Sequence, residues 1–207
     1  MIATGRTQGA LEELDDAITS AGGSVTLVPF DLKDREAVHQ LGAIVAERYG
    51  RLDGLFGNAG VLGEITPANQ VVPKTWDEVI AVNLTANVNL IRAMDPLLRV
   101  SEAGRAVFVS SGVATSRRPY WAAYAASKAG LEAFVQCYAR EVEVTDMRVN
   151  LLDPGATATA MRAKAMPGED PKTLPSAEEV ARLAAEMLSP EWDGNAEVVR
   201  YREWAAG

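Results

Sequence analysis

The sequence is poor in two residues on which much enzyme chemistry leans: its 207 residues include one histidine, His39, and one cysteine, Cys137. A single cysteine rules out an internal disulfide, and its place in a helical stretch predicts a buried thiol behaving as a small hydrophobe. A single histidine, itself inside an amphipathic helical stretch, leaves a Ser-His-Asp triad or a histidine-rich metal site short of parts, and no metal site is expected. Positive charge is short too. Twenty Lys and Arg face 28 Asp and Glu, for a net charge of -8, whereas nucleic acid or an anionic membrane calls for a basic patch that this distribution does not offer. No apolar run reaches the roughly 18 residues of a spanning helix, and the N-terminus lacks a basic-then-apolar secretion signal, so a soluble, cytoplasmic protein is expected. Repeats, low-complexity tracts and linkers are absent as well. The proline-rich stretch 166–175 reads as a loop, and residues 1–207 read as a single domain.

What is present is alternation. Short β-branched apolar runs at 24–30, 52–56, 106–110 and 147–152 read as buried strands, with helical stretches between them. This pattern predicts an α/β fold: a parallel sheet covered by helices. Residues 7–21 are periodic in Leu11, Leu14 and Ile18, and Gly22-Gly23 closes that helix. Thr75 with Glu78, and Ser176 with Glu179, have the spacing of capping boxes. The chain opens in mid-pattern, with residues 1–3 reading as the tail of a strand that runs into Thr4-Gly5-Arg6 and a helix.

The strongest chemical signal is Tyr124-Ala125-Ala126-Ser127-Lys128, on a helix predicted to run to about Val144. A spacing of four puts the Tyr124 hydroxyl and Lys128 ammonium on one helix face. A phenol ionises near pH 10 in water, and a nearby cation favours the phenolate, which suits proton exchange with an alcohol or carbonyl. Chance supplies such a pair readily, so position gives it weight. Ser111 lies thirteen residues earlier, directly after a predicted strand, where parallel sheets place ligand-binding residues.

The spacing of Ser111, Tyr124 and Lys128 resembles the catalytic core of the short-chain dehydrogenase/reductase family, and the similarity runs from Ile2 to about Leu188. The resemblance implies a doubly wound, Rossmann-like sheet and an NAD(P)(H)-dependent oxidoreductase that interconverts a carbonyl and a secondary alcohol. It makes Tyr124 the acid/base, with Lys128 lowering its pKa and holding ribose, Ser111 orienting the substrate oxygen, and Asn83 holding a water in the relay. Asn58-Ala59-Gly60 resembles the segment beside the adenosine half of the cofactor, although Gly57 stands where the family usually has asparagine. Asp31 resembles the contact to adenine and equally fits a helix N-cap. Pro154-Gly155, with Thr159, resembles the segment that binds the nicotinamide carboxamide. Arg6, with no acid beside it, favours NADP(H) over NAD(H).

The strand, glycine-rich turn and helix with which the family begins have no counterpart here, so the domain is expected to be N-terminally incomplete, lacking the first βα unit and open at the sheet centre. Residues 160–175, with Met161 and Met166, are expected to form a substrate lid. A homodimer through the helices at 75–95 and 124–144 is implied, with no tetramer-building glycine-rich tail. The alternative function is a non-catalytic binding or interaction protein on the same scaffold, or a cofactor-deficient fragment.

Overall fold

The structure, a computed structural model, describes residues 1–207. Its N-terminal part is β1 (Ile2–Gly5), α1 (Gln8–Ser20), β2 (Thr26–Pro29) and α2 (Arg35–Tyr49). There follow β3 (Gly54–Gly57), α3 (Pro73–Ile80), α4 (Ala86–Leu98), β4 (Arg105–Val109), α5 (Val113–Ser116) and α6 (Ala122–Glu141). The chain closes with β5 (Arg148–Asp153), α7 (Ala160–Ala165), α8 (Ala177–Met187), β6 (Val198–Arg200) and α9 (Tyr201–Trp204). All strand pairs are parallel, as the alternation predicts, and each predicted strand is found within two residues of its expected bounds.

The strands form two sheets, a pair β1-β2 and a four-stranded sheet β3-β4-β5-β6. Strands β1 and β3 are not paired with each other, and a groove of about 820 Å³ lies between their edges, floored by Leu41, Val45, Leu90 and Met94. The expected opening in the sheet is therefore found between these two strands.

The four-stranded sheet is covered on both faces, and alternation along its strands decides which side chain goes where. From β4 and β5, Ala106, Phe108, Val149 and Leu151 pack with Ile91, Leu98, Leu131 and Val135 of α4 and α6. Val107 and Leu152 point the other way, onto Val180, Leu183 and Met187 of α8. Helix α8 starts with the predicted capping box: the Ser176 hydroxyl accepts from the Glu179 amide at 3.2 Å, and Glu179 accepts from the Ser176 amide at 2.7 Å. Arg105, buried at the start of β4, donates to the carbonyls of Gly104, Asp146, Ser189 and Pro190 and so ties three turns to the sheet.

Three local expectations give way. The Thr75–Glu78 capping box does not form, because Pro73 starts α3 with Val72 as an N-cap that makes no side-chain bond. Proline suits a first helical position, where its missing N–H costs nothing, and this leaves Thr75 inside the helix. Cys137 is exposed, not buried. The buried stripe of α6 passes through Leu131, Val135 and Tyr138, and Cys137 stands two residues past Val135, roughly 200° around the helix axis. The helix expected over 75–95 is interrupted by one π turn, Ala81–Thr85.

Candidate active site

The last residue of β4 and the two that follow it lie along α6, each meeting a different side chain there. The Val109 carbonyl accepts from Lys128 Nζ at 2.7 Å. The Ser110 hydroxyl donates to Glu132 Oε1 at 2.6 Å. The Ser111 hydroxyl faces the Tyr124 phenol closely enough to favour its ionised form. Spacings of four along α6 stack Tyr124, Lys128 and Glu132 on one face, and the tip of β4 lies along that face. Lys128 Nζ sits 5.8 Å from the Tyr124 ring centroid.

The electrostatics of this cluster are set by burial. Lys128 is 2% exposed, and desolvation pushes its ammonium down to about 8 from 10.5 while the Glu132 carboxylate acts in the opposite direction. Burial raises the Tyr124 phenol above its ordinary range, with the Ser111 hydroxyl opposing that rise and the Asp153 charge adding to it. The lowered phenol expected from Lys128 is therefore not seen in this arrangement. Lys128 directs its N–H at a backbone carbonyl, and loss of solvent outweighs its charge.

Asn83 occupies the π turn between α3 and α4. Such turns widen a helix locally and often mark functional positions. Its side chain accepts from the Val61 amide at 2.7 Å and donates to the Val61 carbonyl at 2.9 Å and to Ser127 Oγ at 3.0 Å. Asn83 thereby pins the segment after β3 to α6. Gly60 lies over both groups: a Cβ there would be 3.5 Å from Asn83 Oδ1 and 3.6 Å from Lys128 Nζ.

A cavity of about 650 Å³ opens at the strand ends and gathers most of the candidate residues: Asn58, Ala59, Gly60, Ser111, Tyr124, Lys128, Pro154, Gly155 and Thr159. Gly155 has φ +66° with open space where a side chain would stand, and its amide donates to Asp153 Oδ1 at 3.0 Å. Thr159 also serves as N-cap of α7, accepting from the Arg162 amide at 3.2 Å. Phe56, Asn58 and Ala59 line both this cavity and the groove between the sheets, so the two spaces adjoin at the end of β3. Gly57 is explained by packing: any side chain there would collide with Phe108 and Asn87.

Arg6 and Asp31 lie outside this cavity, on the two-stranded side. Arg6 is largely exposed, 3.9 Å from Glu78, and Lys33 bonds the same carboxylate at 2.9 Å. Asp31 accepts from the Lys33 amide at 3.0 Å. The helix N-cap alternative for Asp31 falls to Asp34, whose side chain accepts from the Ala37 amide.

Several cavity residues escaped the sequence reading. Trp121 packs edge-on to Tyr124, with ring centroids 6.0 Å apart, and is presented by a loop in which Arg117 and Tyr120 take positive φ. Such strain is held only where surrounding contacts overdetermine the backbone; here the Tyr120 carbonyl accepts from the Thr66 amide. Arg162 of α7 holds Glu169 through two bonds, Nε–Oε2 at 2.5 Å and Nη2–Oε1 at 2.7 Å, fastening the segment over the cavity. No short-range pattern announces either. Glu132 was within reach, since it repeats the four-residue step from Lys128.

Known proteins are similar to this chain over most of its length. The model of the family described as short chain dehydrogenase matches residues 1–170. The chain is 43% identical over 148 residues to the uncharacterized oxidoreductase YciK of Escherichia coli K12, a match covering 72% of this chain and 58% of that one. It thus spans less than two thirds of the length of the first curated relatives it matches. Among solved structures it is similar to a short chain dehydrogenase from Salmonella enterica serovar Typhi, with TM-score 0.93 and 34% identity, covering 97% of this chain and 84% of that one. It is equally similar to a protein from Escherichia coli CFT073 complexed with NADPH, with TM-score 0.92 and 35% identity, covering 97% and 85%.

Proposed function

The chain belongs to the short-chain dehydrogenase family, and from that membership we propose that its cleft exchanges a hydride between a nicotinamide dinucleotide and a carbonyl compound or secondary alcohol. The observation that carries this reading is the convergence of the Ser111 hydroxyl, Tyr124 phenol and Lys128 ammonium on one cavity. The cavity suits a dinucleotide: Gly60 and Gly155 let backbone come close, and Asn58, Pro154 and Thr159 line the same cavity. When bound, the cofactor gives or takes the hydride.

The chain's own residues handle the proton and the orientation. Tyr124 passes a proton to the carbonyl oxygen, or takes one from the alcohol, at its phenol oxygen. Ser111 donates to that same substrate oxygen and fixes the carbonyl's direction. Lys128 is the cation beside the phenol, placed to hold ribose hydroxyls and to favour the phenolate as proton transfer proceeds. Asn83 anchors Val61 and Ser127 around Lys128 and is the relay's outer member. Past Tyr124 the wall is apolar, with Leu62, Trp121, Leu152, Met161 and Val180, while the lid cation Arg162 is neutralised by Glu169. Both features favour a substrate carrying an apolar rather than an acidic group.

NADP(H) is the favoured cofactor. Support comes from Arg6 with no acid in Thr4-Gly5-Arg6-Thr7, from Lys33 as a second cation nearby, and from the relative complexed with NADPH; Asp31 is placed in this reading at the adenine. The reading includes a homodimer through α4 and α6, where Phe134 is exposed, and a reducing, cytoplasmic setting, which suits an exposed and unpaired Cys137. No helix is long and apolar enough to cross a membrane.

The decisive test is Tyr124→Phe. NADPH-dependent reduction of a panel of apolar aldehydes and ketones is expected to fall by roughly 10²-fold or more, while NADPH affinity, followed by fluorescence, stays nearly unchanged. Full turnover by this variant ends the mechanism.

A further inference from the structure

Glu132 has no part in the reaction just described, yet it is fastened to the tip of β4 one helical turn beyond Lys128. Its carboxylate accepts a 2.6 Å bond from Ser110, a residue 1% exposed that adjoins both Val109 and Ser111. Such short O–H to carboxylate bonds are among the stronger ones, so the side chain is held against the strand rather than released to solvent. We propose that Glu132 is a positioning residue of this site: locked in place by Ser110, its carboxylate is the counter-charge that keeps the buried Lys128 ammonium protonated beside Tyr124. This deepens the hydride-transfer reading and rests on it for its catalytic meaning.

The geometry leaves Lys128 few other sources of support. Its Nζ finds one acceptor, the Val109 carbonyl, and above it lies Gly60, which brings no side chain. The ionisable groups around it are Tyr124 and Glu132 on α6 and Asp153 at the end of β5, and of these Asp153 acts on the phenol. From the π turn between α3 and α4 the facing group is Asn83, which is uncharged. Glu132 is the acid whose field favours the ammonium against the cost of burial. Two links from β4, to Lys128 and to Glu132, also hold the strand tip in register with α6, and Ser111 is the next residue along.

The test follows Lys128 directly and needs no turnover. In protein labelled with [13C]lysine, which has five lysines, the Lys128 Cε–H signal, assigned with Lys128→Arg, is titrated in the parent, in Glu132→Gln and in Ser110→Ala. In Glu132→Gln, which keeps an oxygen to accept from Ser110, the midpoint is expected to fall by about one pH unit, the effect of one neighbouring charge removed. In Ser110→Ala it falls by less, because the carboxylate remains but is freed. An unchanged midpoint in a folded Glu132→Gln, or in Ser110→Ala should Glu132→Gln not fold, overturns the proposal. Where the parent turns over a carbonyl substrate, the alkaline fall of kcat/KM moves down in pH with the same midpoint. Absence of turnover in the parent counts against hydride transfer alone, and the titration still decides the role of Glu132.

Discussion

The two sheets are built to different standards. In the four-stranded sheet, β4 and β5 are buried almost end to end, and helices cover both faces. In the two-stranded sheet no residue of β1 or β2 is fully buried, and α1 buries only Leu11. Every group proposed to act on the substrate belongs to the first region, while Arg6 and Asp31, proposed for the far end of the cofactor, belong to the second. A reaction centre needs fixed geometry, which a close-packed interior supplies; a half-buried pair of strands holds a partner's charge without comparable rigidity.

That contrast can be broken most directly in the cores. Phe108→Ala, which empties the centre of the larger sheet, is expected to cost about 4 kcal/mol in denaturant unfolding. Leu11→Ala is expected to cost about half as much, since its surroundings can close in. Equal losses would mean that α1 is packed as firmly as the centre of the larger sheet.

A buried charge sharpens the comparison further. Because Lys128 is lowered to about 8, the folded chain at pH 7 carries a proton that burial disfavours. Between pH 8 and 10.5 the unfolded chain binds more protons than the folded one, so stability from this group rises with pH across that window. Lys128→Met is therefore expected to be more stable than the parent by about 2 kcal/mol at pH 7, an advantage that shrinks toward pH 10. Parallel stability curves from pH 7 to 10 would contradict the inferred burial.

The smallest effect concerns helix starts. Ser176→Ala breaks an observed capping box and is expected to lower stability by about 1 kcal/mol, seen as a drop in Tm. Thr75→Ala, at a box that does not form, should leave Tm nearly unchanged.

The strands, their parallel arrangement and the Ser176 cap were legible because each rests on a local signal: apolar runs of strand length, or a three-residue step that satisfies a free amide. Thr75 failed for the same kind of reason, since Pro73 starts a helix more firmly than a threonine two residues later. Cys137 failed because small apolar residues carry no facing information until the buried stripe of α6 is known. At the site, Tyr124 with Lys128 could be read from helical spacing, and Ser111 from its place after a strand. Trp121, Arg162 and the link from Ser110 to Glu132 join separate parts of the chain, and no sequence period encodes them.

By itself, then, the sequence determined the parallel α/β architecture, the helix that carries Tyr124 and Lys128, and the strand end that carries Ser111, because periodicity and spacing are properties of neighbours along the chain. Only the tertiary structure decided that Val109, Ser110 and Ser111 each meet a different residue of α6, that Lys128 is desolvated enough to titrate near 8, and that the sheet parts between β1 and β3. Those outcomes depend on burial and on distances between remote segments, which exist only once the chain has packed.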